Sequence, residues 1–219
     1  ESTTKDWNQE DINLLKFIGE IFMNVFERNH TEQKLIKRDK EISEANQIIS
    51  ENERKAKLLQ NIASIANSPL QVEEALNLSH QIIISQGQGI SGFLFKIDSS
   101  NGLPTFNIEN IIAKTIEEKN KLKDLFDTPE NKLKDILNKI LNSSKPSIDK
   151  SVNLDYKAKN PISSLFDISA IPVIVENGLL YIYLSLLPPN NSIFNDEGIL
   201  NDISREISFF VERDKTKKE

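Results

Sequence analysis

Cysteine is absent from all 219 residues. Its absence removes disulfides, thiolate metal sites, cysteine nucleophiles and thioether-linked chromophores together. Histidine is almost absent too: His30 and His80 lie far apart in sequence, so no imidazole metal centre is expected. No apolar run approaches the ~20 residues that span a bilayer, and nothing at Glu1 resembles a signal peptide. No membrane segment is therefore expected in this stretch, and a cytoplasmic location is. Basic residues are outnumbered, with 27 Lys and Arg against 33 Asp and Glu, and no basic block coincides with aromatic residues. Nucleic acid is not an expected partner.

What is present is led by one long run, Asp11 to Ala66, which contains no proline and a single glycine, Gly19. Its apolar residues fall at helical spacing first and at heptad spacing later. As one helix it would be about 80 Å long at ~1.5 Å per residue, too long for a single small domain to bury. From Ile12 to Phe26 it is densely apolar, the pattern of a helix packed on a folded body or a twin. From Asn29 to Lys57 only a thin seam persists, at Leu35, Ile42, Ile49, Ala56 and Ala63, with Asp39, Asn46, Glu53 and Gln60 at the alternate core positions. A strict seven-residue step favours a left-handed coiled coil, and polar core residues such as Asn46 weaken it while setting register. Leu35, Ile42, Asn46, Ile49 and Ala56 are thus expected to face a second copy of the chain. The competing reading is an amphipathic helix lying on its own domain.

An internal echo supports a modular plan. A shift of 185 positions sets Asp11 on Asp196, Leu15 on Leu200, Ile18 on Ile203, Glu27 on Glu212, Arg28 on Arg213 and Thr31 on Thr216. Two copies of one closing helix imply tandem modules, although apolar matches between amphipathic helices also arise by coincidence. The expected divisions are 1–28 as the closing helix of an upstream module, 29–57 as a signalling coil, 58–213 as a folded domain and 214–219 as the start of a linker.

Within the domain, Ser68-Pro69 breaks the first helix, and a second runs from about Gln71 to Gln86 before Gly87-Gln-Gly89. Ser91 to Ile97 reads as a strand, Asp98 to Gly102 as a turn, and Leu103 to Ile108 as a returning strand. Ile111 to Phe126 has helical spacing. Thr128-Pro129-Glu130 opens a further helix, which Ser143 to Pro146 stops. Ser147 to Asp149 would be a short edge strand, and Val152 to Pro161 a polar loop or helical turn. Phe166 to Val175 and Leu179 to Leu187, joined through Asn177-Gly178, form the strongest hairpin signal. A helix from about Asp196 to Arg213 closes the domain. The expected fold class is α+β: an antiparallel sheet with helices on both faces, plus the long N-terminal helix.

This order resembles the GAF domain, a sensor module of signalling proteins such as histidine kinases and cyclic-dinucleotide cyclases. The resemblance is carried by Leu59-Gln-Asn-Ile-Ala-Ser-Ile-Ala66 with Glu73-Glu74-Ala75-Leu76, by Leu141-Asn-Ser-Ser-Lys-Pro-Ser-Ile148, by Ser164-Leu-Phe-Asp-Ile-Ser-Ala-Ile-Pro-Val173, by Tyr181-Ile-Tyr-Leu-Ser185, and by Phe194 to Arg213. It implies a non-enzymatic sensory or regulatory domain of a kinase- or cyclase-type protein, binding a small molecule or partner and relaying through a dimeric helical linker. A ligand-free dimerisation and spacer module is the alternative. The resemblance places a ligand between the sheet and the helices after the second strand. Phe93, Phe95, Phe166, Ser169, Ile171 and Tyr183 are its candidate contacts, although each could simply fill a core. Lack of cysteine excludes a covalent bilin and the cysteine chemistry of the methionine sulfoxide reductase members, so no cofactor and no catalytic residue is expected. Asn195-Asp196-Glu197 only partly echoes the family's cyclic-nucleotide stretch.

His30 is expected to face solvent rather than accept phosphate, since neither a kinase-type proline nor an ATP segment accompanies it. His80, beside Ile82 and Ile83, is expected to be half-buried and hydrogen-bonded. The charged run Lys114 to Lys123 reads as a solvated face with i,i+4 pairs.

Overall fold

The computed structural model describes residues 8–99, 104–127, 132–154, 165–176, 178–189 and 193–218. Trp7, the turn at 100–102, the Thr128-Pro129-Glu130 helix start, the 155–161 part of the expected loop and Asn177 of the hairpin lie outside the described residues. The chain divides into two compact units, 1–50 and 51–219.

In order, the elements are α1 (Gln9–Ala66), α2 (Val72–Gln86), β1 (Ser91–Asp98), β2 (Thr105–Ile112), α3 (Ile116–Asp127), α4 (Lys132–Ser143), β3 (Ser147–Asn153), β4 (Leu165–Val175), β5 (Gly178–Leu187), a 3-10 turn (Ile193–Asn195) and α5 (Glu197–Lys218). The sheet is antiparallel in the order β2-β1-β5-β4-β3.

Among the described residues the first unit is helix from Gln9 onward. Asn8 caps it, its side-chain oxygen accepting from the Asp11 N–H at 2.8 Å, with Glu10 and Asp11 in the first turn where the helix dipole favours anions. Its apolar residues stay open to solvent, including Phe17, Phe22, Phe26, Leu35, Ile42 and Ile49.

In the second unit the strands bury both faces, and the two-residue side-chain period sorts their residues into two cores. One core joins Leu58, Ile62 and Ala66 of α1 to α2, α5, Leu94, Ile171, Val173 and Tyr183. The other joins α3 and α4 to Phe93, Phe95, Ile168, Ala170, Ile182 and Leu184. Helices on both faces of an antiparallel sheet are what the order of elements predicts.

Four element ends differ from expectation by several residues. β2 runs on to Ile112, because Ile111 and Ile112 pair with Phe93 and Gly92 and the sheet overrides their helical spacing. Helix α3 therefore starts at Ile116, where Thr115 accepts from the Glu118 N–H at 3.1 Å and the Glu118 carboxylate accepts from the Lys114 N–H at 3.0 Å. That is a capping-box arrangement one residue displaced. β3 is longer than expected: Val152 and Asn153 pair with Phe166 and Leu165 beyond a bulge, where Ser151 (φ +53°) donates its N–H to the Asp167 carboxylate at 2.9 Å. α5 continues past Arg213 to Lys218, since nothing in Asp-Lys-Thr-Lys-Lys breaks a helix.

The β4–β5 hairpin turns where expected, and Gly178 takes the positive φ (+112°) that favours glycine. Pro172 sits inside β4, which is tolerated because β3 stops pairing at Ala170 and leaves an edge. Helix α5 covers that edge with side chains four residues apart. Ser204 donates to the Pro172 carbonyl at 2.5 Å, Ser208 accepts from the Ile174 N–H at 2.8 Å, and Glu212 accepts from the Glu176 N–H at 3.2 Å. Four helical residues rise ~6.0 Å and two strand residues ~6.6 Å, so the two periods stay in step over three bonds. The ladder satisfies strand groups that would otherwise recruit another chain.

Candidate functional site

The six candidate contact residues divide between the two faces of the sheet. Phe93, Phe95 and Phe166 face α3 and α4, while Ser169, Ile171 and Tyr183 face α2 and α5, as strand alternation requires. They do not converge on one cavity.

On the α3 face, Phe93 and Phe95 stack at 5.5 Å between ring centroids, and Phe126 closes on Phe95 at 4.9 Å. These rings fill core. A cavity of about 210 Å³ lies beside them, lined by Ile90, Ser91, Glu118, Lys121, Leu122, Leu154, Phe166 and Leu186. Of the six candidates only Phe166 lines it. The walls come from the start of β1, the end of β5, β4, the residue after β3 and one face of α3. Positions 118, 121 and 122 share that face through i+3 and i+4 spacing. Among the described lining residues, the sequence singled out only Phe166 as a contact. Thr115-x-x-Glu118 was the available signal, because it fixes where α3 begins and hence which face meets the sheet. The charged run is only partly the solvated surface expected: Lys121 pairs with Glu117 at 2.5 Å, yet Lys121 and Glu118 also border the cavity. The Lys121 hydrogen bond and charge hold the exposed Glu117 carboxyl below its ordinary range.

On the α2 face the polar groups are enclosed. His80 is 0% exposed, and neither ring nitrogen has a hydrogen-bond partner, in contrast to the half-buried, bonded histidine expected. The reason is tertiary: α2 presents position 80 to the sheet exactly where Gly92 leaves no side chain. A Cβ at Gly92 would meet His80 Nε2 at 2.6 Å, so glycine there admits the imidazole. The Tyr183 ring lies 5.3 Å from it, and the Tyr183 hydroxyl donates to the Leu76 carbonyl at 3.1 Å. Ser185 is opposite Gly92 on one side and Ser169 on the other, and both serine hydroxyls are buried without partners. Burial pushes the His80 pKa down to about 3 and the Tyr183 phenol well above its usual value. A neutral, sealed imidazole cannot exchange protons with a substrate, so this cluster is structural polarity and not an acid–base centre.

The same face carries the two ends of the unit's helical frame. Lys55 of α1 pairs with Asp196, just before α5, at 3.1 Å. That bond, with the Gly198 N–H, holds the Asp196 carboxyl below its ordinary range. At the other end Arg213 of α5 donates to the Ala66 carbonyl that terminates α1 and, at 3.4 Å, to the Asn67 side chain. The Lys55–Ala66 stretch of α1 and α5 as far as Arg213 therefore run in the same direction. Among the described residues no group of acidic or histidine side chains could hold a metal ion, and no helix is long and apolar enough to cross a membrane.

No protein-family model matches the sequence, and no curated protein matches it. Solved structures do. The GAF domain of a protein described as a sensor histidine kinase from Pseudomonas syringae pv. tomato superposes with a TM-score of 0.52 at 10% identity, over 80% of this chain and 94% of that one. The GAF domain of a phosphoenolpyruvate-protein phosphotransferase from Coxiella burnetii gives 0.52 at 15% identity, over 76% and 96%. At such identities the likeness establishes architecture alone: the chain has the GAF fold.

Proposed function

We propose that this GAF-fold domain is a sensory or regulatory unit of a signal-transduction protein of the sensor-kinase or cyclase kind. In this reading it is not itself catalytic, and it acts as a homodimer through α1. The observation that carries this reading is the pairing of α1 and α5 within one core. Lys55–Asp196 and Arg213–Ala66 clamp the two helices to each other, and the Ser204, Ser208 and Glu212 ladder clamps α5 to β4. Any displacement of β4 is thus passed to both helices together. A coil formed by Leu35, Ile42, Ile49 and Ala56, with Asn46 setting register, would carry it on as a rotation or register step, a two-state element biased by the site.

The internal echo gains weight from burial. The α5 core residues Leu200, Ile203, Ile207, Phe210 and Val211 align with Leu15, Ile18, Phe22, Val25 and Phe26, which are apolar at every position yet exposed. This supports 1–28 as the closing helix of a second module, 29–57 as coil and 58–213 as the sensor domain, with 214–219 leading toward a further segment.

Sedimentation equilibrium tests the dimer: Ile42→Asp with Ile49→Asp should weaken association at least about tenfold, and a wild-type chain monomeric at every concentration would overturn the reading. Crosslinking of an Ile42→Cys variant tests the relay by its response to ligand. The spacer alternative draws support from the cavity, whose 210 Å³ is below the ~300 Å³ at which ordinary ligand sites begin. It requires that no compound alter the crosslink.

A further inference from the structure

We propose that the cavity under α3 takes a free α-amino acid with an aliphatic side chain. The inference rests on the sensory reading above and names the chemistry of its site. Size sets the first bound. A volume of about 210 Å³ holds about seven water volumes of liquid, which suits a body of fewer than ~10 heavy atoms. A nucleotide, with base, ribose and phosphate, exceeds it.

The walls set the second bound. Leu122, Leu154, Phe166 and Leu186 offer hydrocarbon, which rewards burial of a branched aliphatic group. The polar groups set the third. Ser91 is 5% exposed and borders the cavity, and no hydrogen bond from its hydroxyl is found among the described residues. Glu118 and Lys121, one turn apart on α3, bring one charge of each sign to the same cavity. One oxygen of the Glu118 carboxylate is held by the Lys114 N–H at 3.0 Å, which orients the group. Glu117 anchors the Lys121 ammonium at 2.5 Å on the helix face that borders the cavity.

A zwitterion matches this set: its ammonium meets Glu118, its carboxylate meets Lys121 and the Ser91 hydroxyl, and its side chain enters the hydrocarbon walls. A simple fatty acid could set its carboxylate on Lys121 but would leave Glu118 without a cation. A simple amine could meet Glu118 but would leave Lys121 without an anion, and a pure hydrocarbon would leave both charges without one.

Calorimetric titration of the 219-residue chain with leucine tests the assignment, alongside isocaproate (no ammonium) and isoamylamine (no carboxylate). Leucine should bind at least about tenfold more tightly than either. Lys121→Gln should remove leucine's advantage over the amine, and Glu118→Gln its advantage over the acid. Leu122→Trp, which fills the cavity, should abolish binding of all three. Should that variant fail to fold, amide shifts at Ser91 and Leu186 on adding leucine to the wild type decide instead, and they should exceed those elsewhere. Equal binding of the three compounds, no binding of leucine, or shifts centred away from the cavity would overturn the proposal. Leucine binding with an unchanged Ile42→Cys crosslink would sink the relay and leave the ligand class standing. An intact coil with no leucine binding would do the reverse.

Discussion

Replacing His80 should make the domain less sensitive to acid without weakening it at neutral pH. The imidazole is 0% exposed and unbonded, and its pKa falls from an unfolded value of 6.5 to about 3 through burial, with no charged neighbour contributing. A cation disfavoured by the fold means that the unfolded chain binds the proton first. Stability is therefore at its full value above pH 6.5 and declines steadily as pH falls toward 3. At pH 5 the unfolded state gains 1.36 kcal/mol for each unit below its pKa, about 2 kcal/mol in all. That is a sizeable share of the ~5–15 kcal/mol that holds a typical domain. His80→Leu removes the titrating group. Because neither nitrogen makes a hydrogen bond, exchanging it for hydrocarbon leaves no orphaned partner, and at pH 7.5 the variant should lie within about 1 kcal/mol of wild type. Urea unfolding followed by circular dichroism at pH 7.5, 6 and 5 measures both curves, and their difference isolates position 80. Parallel curves would refute the burial of a neutral imidazole, as would a neutral-pH loss of several kcal/mol, which would show that a hydrogen bond had been broken.

Other consequences can be read from the same packing. Gly92→Ala sets a methyl 2.6 Å from His80 Nε2 and should cost about 1–3 kcal/mol, with part of the loss recovered in a Gly92→Ala/His80→Ala pair. Thermal melts of the two single variants and the double variant would show this coupling. Ser208→Ala orphans the Ile174 N–H and should cost about 1–2 kcal/mol, with faster hydrogen exchange at that amide as the local signature. Arg213→Ala removes a cation from the C-terminus of α1 and should cost about 1 kcal/mol, with earlier exchange in the turn ending at Ala66.

The elements themselves could be read from the chain because each rests on local chemistry. The proline-free run became α1, the seam positions Leu35, Ile42, Ile49 and Ala56 lie exposed on it, and the hairpin closes at Gly178. Apolar, β-branched and aromatic runs identified β1, β4 and β5, and the order of helix and strand signals led to an antiparallel sheet with helices on both faces. What local spacing could not decide was competition between partners. Ile111 and Ile112 fit either a helix or a strand, and only their partners Phe93 and Gly92 settled the matter. Val152 and Asn153 looked like loop until Asp167 held the bulge that lets them pair.

The site was the least legible part, for a geometric reason. Its walls are drawn from five separated stretches, and whether a residue lines it turns on which sheet face its parity selects. Phe93 and Phe95 have the parity of the cavity face but were claimed by Phe126, while Ser169 and Tyr183 belong to the opposite layer. Sequence by itself determined the class of most elements, the absence of thiol chemistry, and the apolar faces needing partners. Only the tertiary structure decided that His80 is sealed over Gly92, that α5 closes the edge of β4, and that α1 and α5 are locked side by side. These are contacts between residues from 12 to 147 positions apart, and no short-range propensity encodes them.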